Sequence, residues 1–141
     1  MSSRVTASRS ARRLPIALPA LAPASPIIKW VGGKTRLLPE LTSRMPPKLG
    51  RYFEPFAGGL ALFFRIAPDN AVISDANADL IALYTAVATD VNAVIKRLQR
   101  HREEHDERHY YAMREKWNQL HGSMSNADRA AMFIYLNKTC F

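Results

Sequence analysis

Two acids at the tips of short apolar runs carry the most informative chemistry in the sequence. Glu54 ends the run Tyr52-Phe53-Glu54, and Pro55-Phe56-Ala57-Gly58-Gly59 follows it directly. Asp75 follows Ala71-Val72-Ile73-Ser74 and lies 21 positions after Glu54. Glycines let a chain turn tightly and approach a ligand where a side chain would clash. A helix opening behind such a loop presents free N–H groups. In open α/β sheets an acid at the tip of the second strand, about 20 residues on, binds ribose hydroxyls. The combination describes a nucleoside site. The Gly-x-Gly-x-x-Gly fingerprint is absent, which disfavours a pyrophosphate dinucleotide. An ordinary turn, with Asp75 or Asn77 capping a helix from Ala78, explains the same residues. Both readings stand on the residues alone.

Trp30 and Lys34 flank the diglycine Gly32-Gly33. An indole supplies a stacking face, and a lysine supplies a charge for a carboxylate or phosphate. A core Trp and a surface Lys are the plain alternative. Gly33-Lys34-Thr35 matches the end of a phosphate-binding P-loop, but the glycine required five positions earlier is Ile28, so that motif fails. His101, His105 and His109 share one helical face at four-residue spacing. That spacing suits metal ligands, but Glu and Arg neighbours mark a solvated face, and no metal is expected. Cys140 reads as a buried filler. Trp117, Tyr110 and Tyr111 read as core residues.

The elements that must position these groups follow from periodicity. An extended lead-in or short strand covers 27–31, and a helix covers 35–45 until Pro46-Pro47. Strands are expected at 51–54 and 71–74, with a helix opening at Leu60 between them. Helices are expected from Ala78 to about His101, from Glu107 to Leu120, and from near Ser125 onward. The 141 residues hold 48% apolar and 23% charged side chains, globular proportions that exclude a wholly disordered chain. One cysteine excludes a disulfide framework. No uninterrupted run of 18 apolar residues occurs, and no membrane partner is expected. The net charge of +8 and pI near 10.1 suit a polyanion. Residues 1–26 hold Arg4, Arg9, Arg12 and Arg13, four prolines and no acid. They read as a disordered basic tail carrying half of that charge.

Four segments occur in order: Lys29-Trp30-Val31-Gly32-Gly33-Lys34, Tyr52 to Gly59, Ser74-Asp75-Ala76-Asn77-Ala78-Asp79-Leu80-Ile81, and Phe133 to Phe141. Together they strongly resemble the Dam-like (D12 class) DNA adenine methyltransferases, over about residues 27–141. The resemblance implies an α/β fold: a partial Rossmann-like methyltransferase core with a helical DNA-recognition insert. It implies S-adenosylmethionine as methyl donor, duplex DNA as substrate and a cytoplasmic location. Trp30, Lys34, Glu54, Pro55, Phe56 and Gly58 would contact the cofactor, and Asp75 would hold its ribose. Residues 27–89 would form the cofactor-binding part and 90–141 the helical DNA-recognition segment.

In that segment Arg97, Arg100, Arg114, Lys116 and Arg129, with Asn137 and Lys138, are the candidate DNA contacts. Phosphate contacts give affinity and register rather than sequence reading. Glu103, Glu104, Asp106 and Glu107 interrupt the set, and a solvated face with internal ion pairs is the competing account. Two departures from the family stand out. Leu60 replaces a third small residue in the loop. The catalytic Asp-Pro-Pro-Tyr tetrapeptide is absent, so no catalytic residue is assigned. In the family its acid and aromatic orient and stack the flipped adenine. The sequence therefore reads as a truncated methyltransferase, inactive alone. The alternatives are a non-catalytic DNA- or cofactor-binding module, or one half of a split enzyme awaiting a complementing C-terminal chain.

Overall fold

The structure is a computed structural model and describes residues 24–140. Most of the expected basic tail (1–23), and Phe141, lie outside the described residues. A 3-10 turn at Lys34–Leu37 runs into α1 (Leu38–Ser43). Then come β1 (Tyr52–Glu54), α2 (Ala61–Ile66), β2 (Ala71–Ile73), α3 (Ala78–Glu103), α4 (Glu107–Leu120) and α5 (Asn126–Thr139). The result is helix-rich, with one small parallel sheet. Tyr52 pairs with Ala71, Phe53 with Val72 and Glu54 with Ile73.

Segment 27–31 bends at 27–28, enters a turn at Val31 and pairs with no strand among the described residues. Two forces hold it elsewhere. Ile28 is drawn into the core at 3% exposure. The Lys29 N–H donates to Asn137 Oδ1 at 2.8 Å, and Asn137 Nδ2 donates to the Lys29 carbonyl at 2.8 Å. The backbone groups a strand would pair are thus satisfied by one side chain of α5.

α3 begins where Asn77 Oδ1 accepts the N–H groups of Asp79 (2.9 Å) and Leu80 (3.4 Å), a short-side-chain N-cap. It kinks at Asp90 (φ −152°, ψ 70°). There the Asp90 carboxylate accepts the Ala93 N–H at 2.9 Å and restarts the helix. One stretch of α3 meets the bare length and apolarity criterion for crossing a membrane. Its buried residues pack against α5. Leu80, Leu83, Ala86 and Val94 face Ala130, Ala131 and Ile134 of α5, with Ile28 closing the cluster. The alanines let the two axes approach closely. Arg129 of α5 also pairs with Asp79 at the start of α3. α5 therefore shares one core with the cofactor-side segment, although the sequence groups it with DNA recognition.

α4 buries none of its residues fully. Its Trp117 stacks on Phe133 of α5, with centroids 5.4 Å apart. Tyr111, expected in the core, is 54% exposed, because α4 touches the bundle along one narrow stripe. Cys140, expected as buried filler, is exposed. It is the C-cap of α5 in extended conformation, so its side chain leaves the buried helical face.

Candidate functional site

The site forms where β1 and β2 end. Beyond the strands the ladder continues, with Ser74 N–H donating to the Glu54 carbonyl and Ala57 N–H to the Ser74 carbonyl, each at 3.0 Å. This fixes both acids at the same sheet edge. Glu54 is buried at 5% exposure, accepts the Tyr52 hydroxyl at 2.8 Å and lies 3.5 Å from Lys34 Nζ. Burial first, and the Glu54 carboxylate second, push the Tyr52 hydroxyl well above its ordinary value. Lys34 Nζ also donates to the Phe56 carbonyl at 3.2 Å. The lysine thus clasps the first 3-10 turn to the exit of β1.

Asp75 grips the glycine loop. One carboxylate oxygen accepts Gly58 N–H and the other Asn77 N–H, both at 2.9 Å. The bonds from Asn77 and then Gly58 hold its carboxyl below the ordinary value, and the Lys34 charge adds to this. A carboxylate has about four lone-pair positions, so Asp75 keeps acceptor capacity. From the other side the Tyr84 hydroxyl donates to the Gly58 carbonyl at 2.6 Å. Burial, followed by the charges of Asp75 and Glu54, raises the Tyr84 hydroxyl. Periodicity counts Tyr84 among the apolar positions of α3, and its polar tip is the functional feature that sequence reasoning misses. A tyrosine two turns after the Asn77 cap is the available signal.

Gly58 takes φ +49°, and a Cβ there would lie 3.2 Å from Trp30 Cδ1. Both facts favour glycine. Trp30 is half-buried, edge-on to Phe133 with centroids 6.1 Å apart. It is at once the wall of the loop and part of the core. Leu60 is 2% exposed and sits at φ +56°. It is core packing held in a conformation that favours glycine.

Trp30, Lys34, Phe56, Gly58, Leu60 and Asp75 line a cavity of about 190 Å³. Pockets that enclose a drug-sized ligand span about 300–1,000 Å³. What these residues form is one wall of a cleft. The Phe56 ring stands 78% exposed, with exposed Pro55 beside it, and Glu54 lies behind the wall. The seven residues expected to contact a cofactor are thus together. They offer a carboxylate with spare lone pairs, an ammonium and a free aromatic face.

The expected DNA contacts separate. Arg97 pairs with Asp128 and donates to the Ala93 carbonyl at 3.1 Å. Arg129 is tied to Asp79 with Nε at 2.8 Å, and Asn137 is tied to Lys29. Arg100, Arg114, Lys116 and Lys138 are exposed. Arg97, Arg100 and Lys116 share a cavity of about 300 Å³. Lys138 lies elsewhere, beside Lys29. Of the histidines expected on a solvated face, His105 is exposed, while His101 and His109 are half-buried. His101 stacks on Tyr135 with centroids 4.8 Å apart. His101 Nδ1 meets His109 Nε2 at 3.0 Å, and His105 Nδ1 meets the Tyr135 hydroxyl at 2.9 Å. The small turn after α3 folds α4 back and brings the three rings around Tyr135. Among the described residues no group of three or more His, Cys, Asp or Glu is placed to hold a metal.

The chain is 38% identical over 117 residues to the type II methyltransferase M1.LlaDCHI of Lactococcus lactis subsp. cremoris, covering 82% of this chain and 41% of that one. It is 35% identical over 132 residues to the type II methyltransferase M.MjaIII of Methanocaldococcus jannaschii, covering 82% and 46%. It is 33% identical over 119 residues to the DNA adenine methylase of Haemophilus influenzae, covering 82% and 41%. The chain therefore spans less than half the length of these relatives. The family model of the D12 class N6 adenine-specific DNA methyltransferases matches residues 30–141, a span that includes the whole wall from Trp30 to Asp75, and the chain belongs to that family.

Proposed function

We propose that the wall from Trp30 to Asp75 binds S-adenosylmethionine. The chain then supplies the cofactor-binding part of a site-specific DNA adenine methyltransferase of Rossmann-like fold. The observation that carries this reading is the double grip on Gly58, by Asp75 on its N–H and Tyr84 on its carbonyl. The grip shapes the loop while leaving Asp75 lone pairs for ribose hydroxyls and the Phe56 ring for an adenine face. The donor set fits a nucleoside bearing a charged tail. Lys34 presents a positive charge on the wall, with Glu54 paired to it from behind, and Trp30, Pro55 and Gly58 close the wall. When bound, the cofactor supplies the activated methyl group. The segment 90–141 forms the DNA-recognition insert, where Arg100, Arg114 and Lys116 of α3 and α4 meet phosphates of duplex DNA, Lys138 of α5 does so beside Lys29, and Arg97 does so while paired with Asp128. Arg129 and Asn137 serve that insert indirectly, by fastening α5 to the wall.

The 141 residues contain no Asp-Pro-Pro-Tyr, so the chain on its own does not transfer the methyl group. The tetrapeptide and the remaining wall lie outside these 141 residues, in a continuation of the same chain or in a complementing chain. The exposed faces of Phe53 (59%) and Val72 (37%) suit such a covering element, since parallel strands are normally covered on both sides.

Calorimetric titration of S-adenosylmethionine into the chain tests the reading. Saturable binding is expected, weakened about tenfold or more by Asp75→Ala, the scale of one charge-assisted hydrogen bond. Unchanged affinity in that variant would overturn the assignment. Methyl transfer to duplex DNA by the chain alone would overturn its inactivity.

A further inference from the structure

The second half of α3, α4 and the start of α5 enclose a cavity of about 300 Å³. Arg97, Arg100 and His101 line it from α3, Glu104 from the C-cap of α3, His109 and Lys116 from α4, and Asp128 from α5. Arg97 is committed to Asp128, and Glu104 faces His109 at 3.4 Å. Among the described residues Arg100 and Lys116 have no carboxylate within ion-pair distance. Two cations without counter-ions at one concave site suit an anion of phosphate size.

The histidine pair beside them has one free proton site. His109 Nδ1 lies 3.4 Å from Glu104 Oε2, and we assign its proton to this side, facing the carboxylate. His109 Nε2 is then the acceptor for His101 Nδ1–H at 3.0 Å. That leaves His101 Nε2 open. A proton there makes an imidazolium without breaking the 3.0 Å contact. A second proton, on His109 Nε2, would point at the His101 N–H, so the pair takes one. The His101 ring lies flat on Tyr135, with planes 16° apart, and an imidazolium there gains a cation–π contact.

The groups facing His101 come from all three helices. Burial, then His109, then Lys116 hold it below the ordinary histidine value, while Glu104 and Asp128 pull it up. Tyr135 faces it from α5, its hydroxyl bonded to His105, with Asp106 nearby at the head of α4. An anion beside Lys116 offsets that residue's share of the lowering, while burial and His109 continue to oppose the charge on His101.

We propose that this cavity binds one phosphate group through Arg100 and Lys116, and that binding places one proton on the His101–His109 pair. The inference rests on the DNA reading above only for the source of the phosphate. A diester of a duplex backbone and a free phosphate present the same oxygens.

The test titrates the full chain with inorganic phosphate and, separately, with a short DNA duplex, at about pH 5.5 and about pH 7.5, a range that spans histidine titration. Affinity should rise toward acid by up to about tenfold per pH unit, the limit for linkage to one proton. His101→Gln should lose that part of the slope and keep the affinity at the higher pH. Any titration of phosphate itself is common to both chains and cancels in the comparison. Arg100→Gln and Lys116→Met should each weaken binding about tenfold at both pH values. A response to duplex alone identifies the backbone as source, and a response to inorganic phosphate identifies free phosphate. The proposal is overturned if neither probe binds, if the slope survives His101→Gln, or if the two cation variants bind as the wild type does. S-adenosylmethionine titrated into the wild-type chain separates the two readings. Its failure to bind, with phosphate binding intact, removes the wall and leaves this site standing.

Discussion

The wall from Trp30 to Asp75 and the helical pair α3–α5 hold their shapes by opposite means. In the wall, side chains serve the backbone. Asp75, Tyr84 and Lys34 all end on main-chain groups of residues 56–58 or beside them, and the strands behind are three residues long. In the pair, backbone bonds are internal to each helix, and side chains meet side chains across a dry seam of Leu80, Leu83, Ala131 and Ile134. The wall depends on a few directional bonds and the pair on many weak contacts. A single substitution should therefore change affinity in the wall and stability in the pair.

The largest expected loss lies in the seam. Leu83 is fully buried, and Leu83→Ala removes its burial and leaves a cavity, costing about 2–5 kcal/mol. That is a large share of a small domain's stability of about 5–15 kcal/mol. Chemical denaturation should show a lower midpoint with the slope retained. A loss below about 1 kcal/mol would mean that α3 and α5 separate easily, and the contrast between the two regions would collapse.

A smaller loss, with a pH signature, belongs to the wall. Asp75→Asn keeps the shape but removes the charge that accepts two N–H bonds. The cost is about 1–2 kcal/mol, reduced from the full value of charged hydrogen bonds by solvent exposure. The folded protein holds the Asp75 carboxyl below its ordinary value of 3.8. Its contribution is therefore complete above that value and fades as the pH falls below it, because the unfolded chain binds the proton first. The variant should converge on the wild type in acid and diverge from it near neutrality. Parallel stability curves across the pH range would show that Asp75 is not the grip on the loop.

Legibility in the sequence divides along the same line. α3, α4 and α5 are readable because their apolar residues recur every three or four positions and their caps, Asn77, Asp106 and Ser125, precede them. Residues 27–31 mislead because an apolar run marks burial without saying which partner supplies it. Here the partner is Asn137, more than a hundred residues away. The wall residues are legible by type and spacing, since Gly58 and Asp75 must stand at the ends of neighbouring strands. Tyr84 is not, because periodicity records its ring and ignores its hydroxyl. Arg129 and Asn137 look like surface groups for the same reason: a sequence shows charge and polarity but not the distant partner that absorbs them.

The smallest effect tests whether strain in the wall region is always tied to packing. Two residues of the α2 segment sit in the left-handed region, Leu60 at φ +56° and Ala67 at φ +43°. Leu60 is buried at the helix start, while Ala67 is exposed at its C-cap, the position that glycine favours. Ala67→Gly relieves the Cβ clash and surrenders no buried surface, so it should stabilise by about 0.5–1 kcal/mol. Leu60→Gly relieves the same clash but deletes a buried side chain, whose loss outweighs the relief, so it should destabilise. Thermal melts of the two variants should therefore move in opposite directions. If both rise, the Leu60 side chain adds little and the loop holds its shape through Asp75 and Tyr84 alone. If both fall, the positive φ at Ala67 is not strain, and backbone conformation in this segment is set by something other than side-chain size.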